Sequence, residues 1–433
     1  MKILLVQNSL YYPAYGGGNK SNRLLLEALA RRGHGCRVLT RVSETLDAER
    51  LQTFLADLES RGVEIQSSAG GLVVFELNGV SVHTETSVHR VRRRLVEQIE
   101  EFAPDWILVS TDDPLQIFLR AALEKDASRV VYLARTTLAL PFGPDSALPS
   151  EERTGNLRRV AAIVAVSRYV SDYMRRYAGL EAKALPISLH GSGPFPRLGR
   201  FGEGYVTMVN PCAIKGISIF LGLARRFPEL PFAAVPMWGT NEDDLQALAE
   251  LPNVTLLPPV EEIDRLLKKT RVLLAPSLCN DARPRIVFEA MSRGVPVMAS
   301  DVGGVREAML GMDYVLPVRP VVRYEAGVDA QMVPRAVIPE QDLKPWEAVL
   351  RRLVTDRRHY EELAARGHET AARHLKELTV APFEEFLERL GRRDLRGTAA
   401  DDPRAAKGAG LESLSPEKRA LLLKRLRGKK GAS

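Results

Sequence analysis

Residues 276–307, PSLCNDARPRIVFEAMSRGVPVMASDVGGVRE, decide how the chain is read. They follow an apolar run, 272–275, that reads as a buried strand. Pro284 has the fixed φ that suits the first position of a helix, and that helix ends near Gly294. Residues 296–299 read as a second strand, and Gly303-Gly304 turns the chain into another helix from Val305. Asp281 therefore sits in a loop and Glu289 about a turn and a half into a helix, both near the carboxyl edge of a sheet. A Gly-Gly turn that opens a helix presents backbone N–H groups and the positive end of a dipole, which suits a diphosphate. Carboxylates repel phosphate but accept charge-assisted hydrogen bonds from sugar hydroxyls.

Working outward, strand and helix alternate on both sides of this stretch. Upstream come a strand at 205–209, a helix at about 217–226, a strand at 232–235, a helix at 242–251, a strand at 254–257 and a helix at 261–268. Residues 190–204, HGSGPFPRLGRFGEG, have no periodicity and many Gly and Pro, and mark a domain boundary. Before it, residues 2–6 read as a strand, Gly16-Gly17-Gly18 as a turn, 19–32 as a helix and 36–40 as a strand, which makes a βαβ unit. Asn78-Gly79 between apolar runs at 73–77 and 80–83 signals a tight hairpin. Strands at 106–109, 130–133 and 162–166 complete a doubly wound first domain.

The expected architecture is α/β, with two doubly wound Rossmann-like domains facing across a cleft: residues 1–190 on the acceptor side and 205–375 holding the donor. Residues 317–343 are Pro-rich and aperiodic and read as surface loop in preference to a lid. Helices follow at 345–353 and 360–390, the segment 376–392 closing the body and returning to the first domain. From Arg393 the text becomes a Gly, Ala and charge-rich linker. It ends in LSPEKRALLLKRLR, where Ser415 is a good N-cap, Pro416 suits the first helical position and Glu417 suits the positive end of the dipole.

Charge and cysteine usage narrow the function classes. The formal net charge is +7, but residues 403–433 hold nine Lys or Arg against two Glu, so the whole excess lies in the tail and the body is formally neutral. Nothing in the body asks for a nucleic acid. No apolar run approaches the roughly 20 residues that span a bilayer. The start, MKILLVQNSLYYPAYGGG, reads as a first strand and not as a signal peptide. Cys36, Cys212 and Cys279 are odd in number and far apart, which fits neither a disulfide framework nor a zinc site and points to the reducing cytoplasm. The seven histidines show no metal-ligand spacing, so neither a metal nor a bound cofactor is expected.

Taken together, Pro276-Ser277, Asp281 and Glu289 with seven residues between them, Ala290-Met291, Gly294, Pro296-Val297, Ala299-Ser300, Gly303-Gly304 and Glu307 resemble the donor-site signature of the retaining GT-B glycosyltransferases of family 4. The resemblance covers roughly residues 1–392 and implies a nucleotide-sugar donor, an acceptor hydroxyl, retention of anomeric configuration and no metal. It implies that Asp281 contacts the donor sugar and Glu289 the ribose hydroxyls. It further implies that Lys215, in NPCAIKG, neutralises the diphosphate, and that Gly303 and Gly304 give it backbone contacts. Gly17 and Gly18 match the glycine turn that faces the same phosphates across the cleft. Lys215 and Asp281 are the expected catalytic pair.

Three positions depart from the family. An Arg often stands five residues before the lysine, and here that residue is Asn210, so one diphosphate charge is missing or comes from Arg283 or Arg285. The first carboxylate is Asp in place of Glu, one methylene shorter. No N-terminal histidine marks the reacting centre; Arg135 or Thr136, in ARTTLALPFGP, stands near that place. Trp238, after a strand, either touches the cleft or only shapes a turn. The tail resembles the short helical segment that leads into condensation domains of nonribosomal peptide synthetases, which favours a small-molecule peptide or polyketide acceptor and a docking partner for residues 411–427. The rival readings are a catalytically silent nucleotide-sugar-binding or scaffold protein on the same fold, and a sugar-nucleotide epimerase of GT-B architecture. A dehydrogenase is disfavoured because no GxGxxG follows either first strand.

Overall fold

The computed structural model describes residues 1–14, 16–329 and 333–400. The first sheet has nine strands: β1 (Lys2–Val6), β2 (Gly35–Arg41), β3 (Ile65–Ala69), β4 (Leu72–Leu77), β5 (Val80–Glu85), β6 (Trp106–Ser110), β7 (Val130–Ala134), β8 (Ala162–Ala165) and β9 (Lys183–Ala184), in the spatial order β3-β4-β5-β2-β1-β6-β7-β8-β9. All neighbours are parallel except β3 with β4 and β4 with β5. The parallel strands are continuous apolar runs because both faces are covered; Ile3 to Val6 and Ile107 to Val109 have no exposed surface. Asn78 and Gly79 both take positive φ, 50° and 81°, as the tight β4–β5 turn requires.

The second sheet has six parallel strands: β10 (Tyr205–Val209), β11 (Phe232–Val235), β12 (Val254–Leu256), β13 (Thr270–Ala275), β14 (Val297–Ser300) and β15 (Val315–Leu316), ordered β12-β11-β10-β13-β14-β15. The expected pair of doubly wound domains is thus present, and residues 1–383 form one compact unit. Helix starts follow local chemistry: Asp47, Ser150 and Ser167 each accept a hydrogen bond from a first-turn N–H, and Asn241 with Asp244 makes a reciprocal cap. Residues 190–204 run without regular structure against the second domain, where Leu198 N–H donates to Arg293 O at 2.7 Å.

Three local expectations change. Residues 317–343 are not plain loop, because β16 (Arg323–Val328) and β17 (Pro334–Val337) pair antiparallel. The flanking prolines hide a short strand pattern, and the pair packs Tyr324 and Ala336 against Cys212, Ile214 and Cys279. The single helix expected over 360–390 is two, Arg357–Leu375 and Ala381–Ala400, because residues 376–380 break it and Pro382 fits only a helix start. The second helix continues to Ala400, past the linker start expected at Arg393, since Arg, Leu and Ala there favour helix. The basic helix and the docking segment 411–427 lie outside the described residues. Among the described residues no helix is long and apolar enough to cross a membrane.

The second domain's core centres on Phe220, whose ring meets Phe232 edge-on at 5.5 Å, and on Trp346, which brings the helix Lys344–Thr355 onto the sheet. Trp346 is fully buried, and its indole N–H donates to Pro317 O at 3.3 Å. Trp346→Ala is expected to lower stability by about 3–5 kcal/mol, read as a fall in the urea midpoint, because it opens a large cavity. A midpoint unchanged from wild type would show that this helix does not complete the core.

Candidate functional site

The carboxyl ends of both sheets open onto one cleft of about 760 Å³. Asp281, Arg283, Arg285 and Glu289 from the decisive stretch reach it, as do Asn210, Lys215 and Trp238 from the second domain and Gly17, Gly18 and Arg135 from the first. Sequence spacing placed Asp281 and Glu289 at one sheet edge, and the structure brings them together with Lys215 on this cleft.

Lys215 ends a short 3-10 turn, and Gly216 follows it at φ 83°. A Cβ at residue 216 would lie 2.0 Å from Pro276 O, so only glycine lets the two loops touch. Ile214 O accepts from the N–H groups of Leu278 and Cys279 at 2.9 and 3.0 Å, which fixes one loop against the other. Across that contact the Lys215 ammonium forms an ion pair with Asp281, whose other oxygen accepts from Ser277 Oγ. Burial alone would lower the Lys215 pKa, but the adjoining Asp281 carboxylate outweighs it and holds the ammonium above its usual range. Burial pushes the Cys212 thiol up to about 11 and the Cys279 thiol up to about 12, so neither is a ready nucleophile.

Arg285 opens the helix Arg285–Met291. Its Nη2 donates to Glu289 Oε1 at 3.1 Å, one turn further along. Its Nη1 crosses to the first domain and donates to Ser21 Oγ, Ser188 Oγ and Leu189 O at 3.0, 3.2 and 2.6 Å. Gly17 backs onto the same side chain; a Cβ there would lie 3.3 Å from Arg285 Cδ. His190 Nδ1 lies 4.0 Å from Glu289 Oε1, but burial and then the neighbouring arginines hold its pKa well below the usual range, so it is neutral and forms no ion pair. Arg283 Nη2 meets His374 Nε2 at 2.6 Å.

Asn210 takes φ 60°, which turns its amide toward the Trp238–Gly239 loop; its Oδ1 accepts from Gly239 N–H at 2.9 Å, while its buried Nδ2 has no hydrogen-bond partner among the described residues. Trp238 lines the cleft with 49% of its surface exposed, and so does more than shape a turn.

Gly303 and Gly304 pack against a neighbouring loop. They lie behind the 280–282 loop and not on the cleft wall: a Cβ on residue 303 would come 2.5 Å from Asp281 O, and one on residue 304 would come 1.7 Å from Ala282 O. Gly304 N–H is already bonded to Asp281 O at 2.7 Å, and the helix they open is only Val305–Ala308. Their glycine character serves packing, which holds Asp281 in place.

Several cleft residues carried no sequence signal. Lys20 Nζ donates to Glu261 O at 3.1 Å across the cleft, and Tyr324 from the β16–β17 hairpin closes one side. Asp112, after β6, accepts from Asn8 N–H at 2.7 Å through Oδ2, while its Oδ1 is buried without a hydrogen-bond partner. Burial raises its pKa to about 7, opposed by the Asn8 bond, reinforced by Asp113 and opposed by Arg135. Arg135 is pushed down to about 9, first by burial and then by Arg285. Among the described residues no group of three or more His, Cys, Asp or Glu could hold a metal ion.

Residues 15–187 match the model of a family described as Glycosyltransferase Family 4, and residues 204–326 that of one described as Glycosyl transferases group 1. No curated protein matches the chain in sequence. Similar solved structures include a glycosyltransferase from Rickettsia africae ESF-5, 11% identical with TM-score 0.57, covering 90% of this chain and 98% of that one. Anabaena Alr3699/HepE in complex with UDP-glucose is 17% identical with TM-score 0.55, covering 90% and 98%. A TarM mutant of S. aureus in complex with Fondaparinux, alpha-GlcNAc-glycerol and UDP is 9% identical with TM-score 0.59, covering 90% and 99%. At these identities the likeness to the solved structures establishes a shared fold.

Asp112 gives the cleft a pH signature. Its folded pKa, about 7, stands above the ordinary 3.8, so between these values the folded chain keeps a proton that the unfolded chain has lost. Stability from this group is therefore full below about pH 4 and is lost as pH rises to 7. Asn8, Asp113 and Arg135 face the carboxyl, and Arg41 feels its charge. Asp112→Asn should melt above wild type at pH 8, with the gap closing toward pH 4; a pH-independent gap would contradict the assignment.

Proposed function

Because this chain is a GT-B glycosyltransferase by family and fold, we propose that it moves a hexosyl group from a nucleoside-diphosphate sugar to an acceptor hydroxyl, with retention at the anomeric carbon and without a metal. The observation that supports this most is the meeting of Lys215, Asp281, Arg285 and Glu289 on one cleft. Retention rests on the family 4 resemblance. UDP is the first nucleotide to test, because Anabaena HepE and S. aureus TarM were crystallised with it.

In this mechanism the diphosphate lies along Lys215, whose ammonium exchanges the Asp281 carboxylate for phosphate oxygens. Asp281, released, accepts hydrogen bonds from sugar hydroxyls, and Glu289, aimed by Arg285, accepts them from the ribose. Trp238 offers a flat, half-exposed face to the base. Asn210 Nδ2 supplies a neutral donor where family members have a cation, and Arg283, whose partner here is a histidine, supplies the second charge. The anomeric C–O bond to the diphosphate breaks, and negative charge grows on the leaving oxygens beside Lys215, where a fixed cation lowers the barrier. The acceptor oxygen bonds to the same face of the anomeric carbon, and its proton passes to the departing phosphate. Closure of the two domains over the substrates keeps water out. The acceptor class, a peptide or polyketide small molecule, rests on the resemblance of the tail, and a cytoplasmic location on three unpaired cysteines.

A panel of UDP-, GDP- and ADP-sugars should contain one that stabilises the protein by about 2.7 kcal/mol at a hundredfold excess over its Kd. With that donor, Lys215→Ala should lower transfer by about 10²–10³. Equal turnover by both proteins would remove Lys215 from the mechanism, and a new sugar nucleotide formed from donor alone would indicate an epimerase.

A further inference from the structure

We propose that Arg135 and Asp112 form an acceptor subsite for a hydroxylated organic anion: the guanidinium holds the acceptor's carboxylate or phosphate, and the carboxylate holds its attacking hydroxyl. This rests on the glycosyl transfer proposed above and names the class of its second substrate.

Strands β6 and β7 are parallel neighbours, with Ser110 opposite Leu133, so the residues that follow them emerge side by side at the carboxyl edge. Thr111 Oγ1 accepts from Arg135 N–H at 3.1 Å, which locks the two loops together. Both Asp112 and Arg135 line the cleft that holds Lys215. Arg135 Nη1 is held by Ile187 O at 3.2 Å, but Nε and Nη2 are buried with no hydrogen-bond partner among the described residues. Nε and Nη2 form the side edge of a guanidinium, which pairs with a carboxylate or phosphate through two parallel N–H···O bonds. A buried donor left unpaired costs about 1–3 kcal/mol, more for a charged group, so an anion that fills this edge recovers that cost.

Among the cleft's other cations, Arg285 also leaves its Nε buried without a hydrogen-bond partner among the described residues, but none leaves a buried two-donor edge unfilled. Lys215 has Asp281, Arg285 has Glu289, Arg283 has His374 and Lys20 has Glu261 O. Arg135 takes part in no ion pair among the described residues and stands on the wall of the first domain, across from the donor-binding segment. Beside it, Asp112 Oδ1 is buried with no hydrogen-bond partner among the described residues. One unfilled acceptor next to one unfilled cationic edge matches a molecule that carries a hydroxyl and an anion together.

Sulfate, which does not titrate near neutrality, and acetate serve as probes, each titrated into UDP-saturated protein by calorimetry. Wild type should bind at least one of them; Arg135→Gln should weaken that binding at least tenfold while changing UDP affinity less than twofold. Arg135→Lys, which keeps the charge without the two-pronged edge, should fall between. Asp112→Asn, which removes a neighbouring negative charge, should tighten it. Preference for acetate assigns a carboxylate-bearing acceptor, and preference for sulfate a phosphate-bearing one. No anion binding by wild type, equal binding by Arg135→Gln, or a parallel loss of UDP affinity would overturn the subsite. Should UDP fail to bind at all, the UDP donor assignment falls, and the same comparison in nucleotide-free protein still decides the role of Arg135.

Discussion

A guanidinium withdrawn from water is stabilised by acceptors and counter-charge within a few ångströms, and Arg285 finds them on both sides of the cleft. Glu289 lies on its own helix, while Ser21, Ser188 and Leu189 belong to the first domain. Breaking such a pair by removing one partner leaves a buried charge uncompensated, which typically costs about 3–5 kcal/mol. The same side chain aims Glu289 into the cleft and sets how closely the Gly17 backbone approaches. Two further ties come from the same segment: Asn280 Nδ2 donates to Asp145 Oδ1 at 2.8 Å, and Glu307 accepts from the N–H groups of Arg168 and Tyr169 at 3.1 and 2.7 Å, capping a helix of the first domain. The stretch that carries Asp281, Arg285 and Glu289 is therefore also the stretch that joins the two walls.

Two of the cleft's cations are held in ion pairs, Lys215 with Asp281 and Arg285 with Glu289, which in the proposed function a nucleotide exchanges. Lys215 stays protonated because Asp281 faces it, so the cation is present before any phosphate arrives. Replacing one anion by another at a fixed cation needs little reorganisation, which is how a preorganised site stabilises charge that develops during bond cleavage. Glycines at 216 and 304 serve this arrangement indirectly, since each removes a Cβ that would collide with a carbonyl of the 276–282 loop.

Much of this was legible in the residues. Continuous apolar runs between glycine turns specified both parallel sheets, and the spacing from Asp281 to Glu289 placed two carboxylates at one edge because a strand, a loop and a short helix have fixed rises. What stayed hidden depended on contacts distant in sequence. Asp112 and Asp113 are adjacent and look alike, yet Asp113 caps a helix by accepting from Phe118 N–H at 2.7 Å while Asp112 lines the cleft; only the strand order distinguishes them. The packing of the 280–282 loop on Gly303-Gly304 was equally invisible, because local sequence shows a glycine turn and not the loop packed upon it. The β16–β17 pair was masked by its flanking prolines.

The central claim is that a nucleotide sugar is gripped between Lys215 and the Arg285–Glu289 pair. A crystal structure of the protein with UDP-glucose tests this most directly. The diphosphate should lie on the Lys215 ammonium, the ribose hydroxyls on Glu289, and Asp281 should have left Lys215 for the sugar. Nucleotide bound away from these residues, or bound there with Lys215 and Asp281 still paired, would contradict the account.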